Sequence, residues 1–524
     1  MANLTHPKRL QPCAKITSLV LAAALSACGG GGDSATVPNS AGIPPSAQSA
    51  QQCSATNPYA AAALKTGSLS VEKQWLRSYF DEAYLWYDEV PAVDAGAAAY
   101  SNTADVYSAL ANYFRALKTT AVTASGKKKD DFGFTYPTAQ WNALSKSGVT
   151  AGYGFEFVIG SLIPPNRNIR IAYVELGSEA AAKGLRRGDK LMTVDGVAGD
   201  DGDAATLNRA LSPAAVTPAA PGVAHSWVFS RAGLTLPALT MTSANFTKNP
   251  VLTYGVIAGL DGKKVGYMVF NDHLATAEAQ LVEAVNYFKT QGIDDLVLDV
   301  RYNGGGYLYI ASELAYMIAG PTRTQNKVFE QLSFNAKRVA DNNDPGARET
   351  FRASSRTTGS PLPDLNLSRV YVIAQSGTCS ASESIINGLR GVDVDVRLIG
   401  SGTCGKPYGF YAKDNCGISY FPIEFKGVNA KGFGDYADGF VPNGAGPTGI
   451  AGCSVADDLS HPLGDPSEAM LATALGYRST SVCPVLSVGQ AQALAAGRAG
   501  ANAASSGFMV RGPARENRLM LPGR

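Results

Sequence analysis

Val370-Tyr-Val-Ile-Ala374 runs through Ser376-Gly-Thr-Cys-Ser380 into Ala381, Ile385, Ile386 and Leu389. After that helical spacing, Val392, Val394, Val396 and Leu398 alternate with Asp393, Asp395 and Arg397. The first run is β-branched and aromatic and reads as a buried strand, the small-residue stretch as a turn, and the i, i+4, i+5 spacing as a helix. The alternation predicts a second strand over 392–398, which leads into Gly402-Thr-Cys-Gly-Lys406. A serine at the start of a helix and an isolated lysine therefore emerge from loops of one α/β layer.

A serine hydroxyl is a weak nucleophile and needs a base within hydrogen-bond reach. Lysine serves as that base only when neutral, which burial or a cationic neighbour brings about. The unpaired N–H groups at the head of a helix, Ala381 first, would face an oxyanion formed above Ser380. Ser380-Ala-Ser-Glu383 is equally a capping-box pattern, so the local residues leave nucleophile and helix cap both open.

Three segments in order carry a resemblance. Thr378-Cys-Ser-Ala-Ser-Glu383, with Gly405-Lys406 placing the lysine 26 positions after Ser380, resembles the nucleophile and base segment of the carboxy-terminal processing (tail-specific) serine proteases. Leu296-Val-Leu-Asp-Val-Arg-Tyr-Asn-Gly-Gly-Gly306 is similar to that family's strand and glycine turn. Gly152-Tyr-Gly-Phe155 with Gly188-Asp-Lys-Leu-Met-Thr-Val-Asp-Gly196 is similar to its PDZ domain. The resemblance implies a Ser380/Lys406 dyad and an oxyanion hole from Ala381, Gly304 and Gly305. It also implies a loop of Gly152, Tyr153, Gly154 and Phe155 that offers amides to a substrate's terminal carboxylate while the peptide adds as a strand. It implies polypeptide substrates, an acyl-enzyme route, no cofactor and no metal. The family's orienting glutamine four positions beyond the lysine is replaced by Phe410, which leaves the third catalytic group open. A rival reading follows from that replacement: a catalytically impaired periplasmic binding module that captures C-terminal tails.

The expected architecture is a multidomain α+β chain, with a small N-terminal helical domain, a PDZ-like β-rich domain and a crotonase/ClpP-like α/β protease core. The boundaries read as 1–27 leader, 28–57 flexible tether, 58–145 helical domain, 150–247 PDZ-like domain, 248–484 protease core and 485–524 weakly ordered tail. Trp75, Leu76, Tyr79, Phe80, Tyr84 and Trp86 predict an amphipathic helix over 71–87, and Val106, Leu110, Tyr113 and Phe114 a second one. Pro213 to Pro221 reads as a surface insertion.

Composition sets the outer limits. With 524 residues, 45% hydrophobic and 17% charged, the chain is globular, and a net charge of +2 without a long basic run excludes a nucleic-acid binder. Lys8, Arg9 and Lys15 precede the apolar stretch from Ile16 to Leu25, an export signal too short to span a bilayer. Leu25-Ser-Ala-Cys28 resembles a bacterial lipobox, in which Cys28 is lipidated; ordinary cleavage after Ala27 is the alternative. Gly29 in place of an aspartate points to an outer-membrane anchor facing the periplasm. In that oxidising compartment six cysteines remain for disulfides. Six cysteines allow fifteen connectivities, which the sequence leaves open; proximity favours Cys404 with Cys416 and Cys453 with Cys483, and free buried thiols stay open for Cys53 and Cys379. Scattered histidines and the absence of a Cys-x-x-Cys spacing speak against zinc. Oligomeric state is not set by any of these features.

Overall fold

The computed structural model describes residues 42–161, 164–200, 202, 221–259, 261–485, 505–509 and 518–520. The leader, Cys28, and the 213–221 insertion except Pro221 lie outside the described residues.

The core is one sheet of six strands in the order Val251–Ala258, Lys264–Phe270, Asp295–Asp299, Arg369–Ala374, Asp395–Gly400 and Gly452–Ser454. The first pair is antiparallel and every later pair is parallel. Its central strands are near-continuous apolar runs because both faces are covered. On one face Leu296, Leu298, Val370, Val372 and Leu398 meet the helices Ala277–Gln291, Leu308–Ala319 and Ala381–Gly391. On the other, Val297, Tyr371, Ile373 and Ile399 meet the helix Ala469–Thr480 through Met470, Leu471 and Ala474. The helix Leu308–Ala319 is buried along its whole length, which matches its lack of a polar face.

The alternation over 392–398 starts later than the sequence predicts. Val392 and Val394 are buried, but they form the turn that leaves the helix, with Asp393 at φ +60°, and the strand begins at Asp395.

The N-terminal helices are Leu69–Ala83, capped by Ser68, and Val106–Leu117, capped by Asp105. The first stops short of the predicted residue 87 because Tyr84 adopts extended backbone. These helices share the main core instead of building one of their own. Trp75 packs on Tyr420 with ring centroids 5.1 Å apart, and the strand Phe134–Pro137 pairs antiparallel with Ile418–Phe421.

Residues 149–247 form a β module with a separate aromatic core of Tyr153, Phe155, Phe157, Trp227 and Phe229. Its sheet runs Phe155–Ser161, Arg170–Val174, Lys190–Val194, Ala224–Arg231, Leu234–Thr235, and the edge strand Phe155–Ser161 takes up Ser505–Met509 of the tail as an antiparallel neighbour. Arg518–Met520 pairs in parallel with Gly305–Tyr307. These two tail stretches are strands, against the expectation of a weakly ordered 485–524, because an existing sheet edge supplies the partner that their own composition does not.

Two expectations are corrected by the cysteines and the tether. The disulfides are Cys53–Cys416, Cys379–Cys404 and Cys453–Cys483. Cys404 therefore does not pair with Cys416, and neither Cys53 nor Cys379 is a thiol. Proximity in sequence failed here because the fold brings Cys53 across 363 positions to Cys416. The tether does not extend to residue 57. Ser46 donates to Glu82, Ser54 N–H donates to Glu72 at 2.7 Å, and Cys53 is fully buried, so the described part from Gly42 onward is packed.

Candidate active site

Three loops leave the carboxyl ends of three adjacent parallel strands: Val300 to Gly306, Gln375 to Ser380, and Ser401 to Lys406. In open α/β sheets that edge is where ligands meet the chain. All the residues of the serine, lysine and glycine segments thus converge on one end of the sheet.

Ser380 stands at φ +60°, ψ −114°, a conformation that a residue with a side chain adopts at a cost of about 1–3 kcal/mol. Such strain persists only where the surroundings over-determine it, and here they do. Thr378 Oγ1 donates to the Val300 carbonyl at 2.8 Å, Cys379 N–H to the Asn303 carbonyl at 3.1 Å, and Ser382 Oγ to the same carbonyl at 3.1 Å. The helix Ala381–Gly391 starts immediately after, and Ala381 N–H, at its first position, has no acceptor within the helix.

Glu383 joins the serine loop to the lysine loop. Its Oε2 accepts from Ser380 N–H at 3.0 Å and from Lys406 N–H at 2.8 Å, while Oε1 accepts from Gly405 N–H at 2.8 Å and from Thr403 Oγ1. The capping box read from the sequence therefore does more than close a helix, because its acid also holds the loop that carries Lys406. Burial pushes the Glu383 carboxyl above its usual range, and these donors oppose the rise. The Cys379–Cys404 disulfide and the Cys404 N–H to Thr378 carbonyl bond at 3.0 Å add two further ties between the loops. Glu383 lies near both sulfurs, but these are bonded to each other and are not metal ligands. Gly405, at φ +85°, has room for no side chain, since a Cβ would sit 2.2 Å from the Ala437 carbonyl oxygen.

Lys406 is fully buried, and its Nζ lies 4.2 Å from the ring centroid of Phe410 and 5.1 Å from that of Phe132. Phe410 is thus beside the lysine, but as an aromatic face. Of the glycine turn, Gly305 N–H donates to Asn303 Oδ1 at 3.0 Å, so the structure uses it internally. The other two amides read from the sequence sit one residue after Asn303, at Gly304, and at the first helical position, Ala381. The carboxamide of Asn303 also bonds His273 Nδ1 at 3.0 Å and the Phe270 carbonyl at 3.0 Å, which fixes this turn.

Sequence reasoning missed a buried ion network behind the turn. Arg301, wholly buried, pairs with Asp299, Glu468 at 2.7 Å and Asp457 at 2.8 Å; Arg187 of the β module reaches the same Asp457 at 2.7 Å and also bonds Tyr302. Burial works to raise the Asp457 carboxyl, but Arg187 and Arg301 outweigh it and hold it far below the usual carboxylate range. A signal existed: Asp299-Val-Arg301 at the end of an otherwise apolar strand is a buried charge that requires partners.

In the β module, Gly152, Tyr153, Gly154 and Phe155 are all buried. The Tyr153 carbonyl accepts from Ala180 N–H at 2.9 Å and the Gly154 carbonyl from Glu175 N–H at 2.8 Å. The loop's carbonyls are therefore turned into the module. Gly154, at φ +86°, packs against Ser178 so closely that a Cβ would lie 1.9 Å from the serine's own.

A strained serine at a helix head, a buried lysine whose loop is tied to the serine loop through Glu383, and a glycine turn thus meet at one end of the sheet. Residues 264–409 match the model of Peptidase family S41, and residues 72–134 match that of the Peptidase S41 N-terminal domain. These matches support peptidase family S41 for the chain. A carboxyl-terminal-processing protease of a Picosynechococcus species is 26% identical over 264 residues, covering 50% of this chain and 56% of that protein. The protein of the same name from a Synechocystis species is 27% identical over 270 residues, 50% of this chain and 54% of that one. The chain thus spans about half the length of the curated relatives it matches. A solved structure described as an S41 protease of Bacteroides fragilis NCTC 9343 shares the fold, with a TM-score of 0.57 over 78% of this chain and 97% of that one, at 24% identity.

Proposed function

We propose that this chain is a serine endopeptidase that hydrolyses polypeptides through a Ser380/Lys406 dyad. The observation that carries the reading is the strained Ser380 at a helix head, with its amide and that of Lys406 on one buried carboxylate oxygen. In this reading Lys406 takes the Ser380 proton, Oγ attacks the scissile carbonyl, and the Ala381 and Gly304 amides face the resulting oxyanion. Lys406 returns the proton to the leaving amine, and water repeats the cycle on the acyl-enzyme. Cleavage of unfolded casein by wild type, Ser380→Ala and Lys406→Arg tests it. Both variants should be inert, because arginine keeps the charge but does not deprotonate. A Lys406→Arg enzyme that retains more than about a tenth of wild-type kcat, a barrier change under ~1.4 kcal/mol, rules out the lysine as base.

The β module is proposed to act as a PDZ-like reader of substrate C-termini through Gly152, Tyr153, Gly154 and Phe155. The antiparallel addition of Ser505–Met509 to the edge strand Phe155–Ser161 supports this, since the edge accepts an extended segment. The relatives named for carboxyl-terminal processing agree with it. Amidating the C-terminus of a peptide substrate should then raise KM; equal KM for the free and amidated peptides would make the module a scaffold. We further propose that Cys28 is lipidated and anchors the chain to a bacterial membrane, most consistently the outer membrane facing the periplasm. Membrane association of Cys28→Ser equal to that of wild type would overturn that proposal.

A further inference from the structure

Lys406 is enclosed by rings from two separate parts of the chain. Phe410 follows it on its own loop and is held edge-on by Phe421 and Phe134, with centroids 5.5 and 5.7 Å away. Phe132 comes from the N-terminal region, where Asp130 fixes its loop by accepting from Phe132 N–H at 3.0 Å and Gly133 N–H at 2.9 Å. Asp130 is itself secured by Lys118 at 3.4 Å and by the Tyr84 hydroxyl at 2.8 Å.

We propose that Phe410 and Phe132 form an aromatic clamp that positions the Lys406 amine and tunes its proton affinity. The proposal rests on the dyad reading above. A ring face excludes water from the neutral amine and yet attracts an ammonium through its quadrupole. When Ser380 attacks, its O–H bond breaks and a new N–H bond forms on Lys406, while the Oγ electron pair goes to the substrate carbon and the carbonyl π pair to oxygen. The positive charge arises between two π faces and disappears again when the proton passes to the leaving amine. A carbonyl oxygen at position 410 would hold the cation more firmly, and so resist its return.

The clamp is shared between modules. Phe132 lies within the segment that matches the Peptidase S41 N-terminal domain, and Lys406 within the one that matches the peptidase domain, so an N-terminal residue completes the catalytic base's surroundings. Phe132 also lines a cavity of about 680 Å³ with Tyr107, Phe114, Lys118 and Phe134. Truncation to alanine would open the amine toward that space, whereas leucine removes the π face and keeps the apolar cover.

Of the charged groups on the elements that carry the clamp, Glu383 accepts from the Lys406 backbone N–H, and Asp130 with Lys118 secures the loop of Phe132. None of them changes in the variants below, so a pH limb belonging to any of them stays in place.

The test is the pH dependence of kcat/KM for wild type, Phe410→Leu, Phe132→Leu and Phe410→Gln on one peptide. Thermal unfolding and the ¹³C titration of the Lys406 ε-carbon, assigned with Lys406→Met, are measured beside it. Losing a cation partner lowers the amine's pKa, so each leucine variant should move the acid limb and the ε-carbon titration to lower pH by about half a unit. Phe410→Gln should move both to higher pH. Limbs and titrations that coincide in all four proteins overturn the clamp, as does a rate loss that follows Tm with no shift. If wild type cleaves no better than Ser380→Ala, the peptidase reading fails, and the ε-carbon titration still decides the clamp.

Discussion

Ser380 and Lys406, 26 positions apart, donate their backbone N–H groups to the same oxygen of Glu383, at 3.0 and 2.8 Å. One buried carboxylate therefore ties the serine loop to the lysine loop. The registration does not depend on either functional side chain.

Glu383→Gln should expose this dependence. The amide is nearly isosteric, but its NH₂ must face donors where the carboxylate faces them with oxygens, which leaves buried N–H groups unsatisfied at about 1–3 kcal/mol each. We expect kcat to fall about a hundredfold with Tm lowered and far-UV dichroism unchanged. A variant with wild-type kcat would show that the loops hold their places without the acid.

The three disulfides should differ in function. Cys379 and Cys404 precede Ser380 and Lys406 by one and two residues, whereas Cys453–Cys483 fastens the sheet's edge strand Gly452–Ser454 to the end of the described core. Replacing Cys379 and Cys404 by serine should cut kcat at least tenfold in protein that is still folded. The Cys453→Ser, Cys483→Ser double variant should lose stability, by about 2–4 kcal/mol, more than turnover. Peptide mapping without reduction should return Cys53–Cys416, Cys379–Cys404 and Cys453–Cys483 as the linked pairs.

Stability should decline as pH rises toward 8. Burial pushes the Glu313 carboxyl up to about 8 and that of Glu330 up to about 7. Between the ordinary carboxylate range and those values the folded chain holds protons that the unfolded chain has released, so unfolding releases protons and stability falls as pH rises. Glu313→Gln should match wild type near pH 5 and exceed its Tm near pH 8. Parallel Tm curves for the two proteins would show that Glu313 is ionised throughout.

Arg187 should matter beyond the β module that carries it. Its guanidinium bonds Asp457 at 2.7 Å, the Ala172 carbonyl at 2.8 Å and Tyr302, the residue before the Asn303 turn. Arg187→Ala removes one of two cations from a buried aspartate, and breaking such a pair typically costs about 3–5 kcal/mol. We expect a lower Tm and a lower kcat together, with Arg187→Lys intermediate, because a point charge cannot reproduce the fork. Unchanged kcat in Arg187→Ala would confine the network to stability.

The sequence by itself determined the elements and their order. Short apolar runs such as Leu296 to Leu298 and Val370 to Ala374 read as strands covered on both faces, and small residues between strand and helix marked the Ser380 turn. Those signals are local, and local periodicity survives in one dimension. What pairs across the chain was not legible. Cys53 finds Cys416, Phe132 reaches Lys406, Arg187 meets Asp457, and the Gly305 amide, read as an oxyanion donor, is taken by Asn303. Each of these is decided by which surfaces the packed sheet and its two faces of helices bring into contact. Phe410 shows the difference most directly: in sequence it stands where the resembled family has an orienting glutamine, and in the folded chain its ring face lies 4.2 Å from the Lys406 amine.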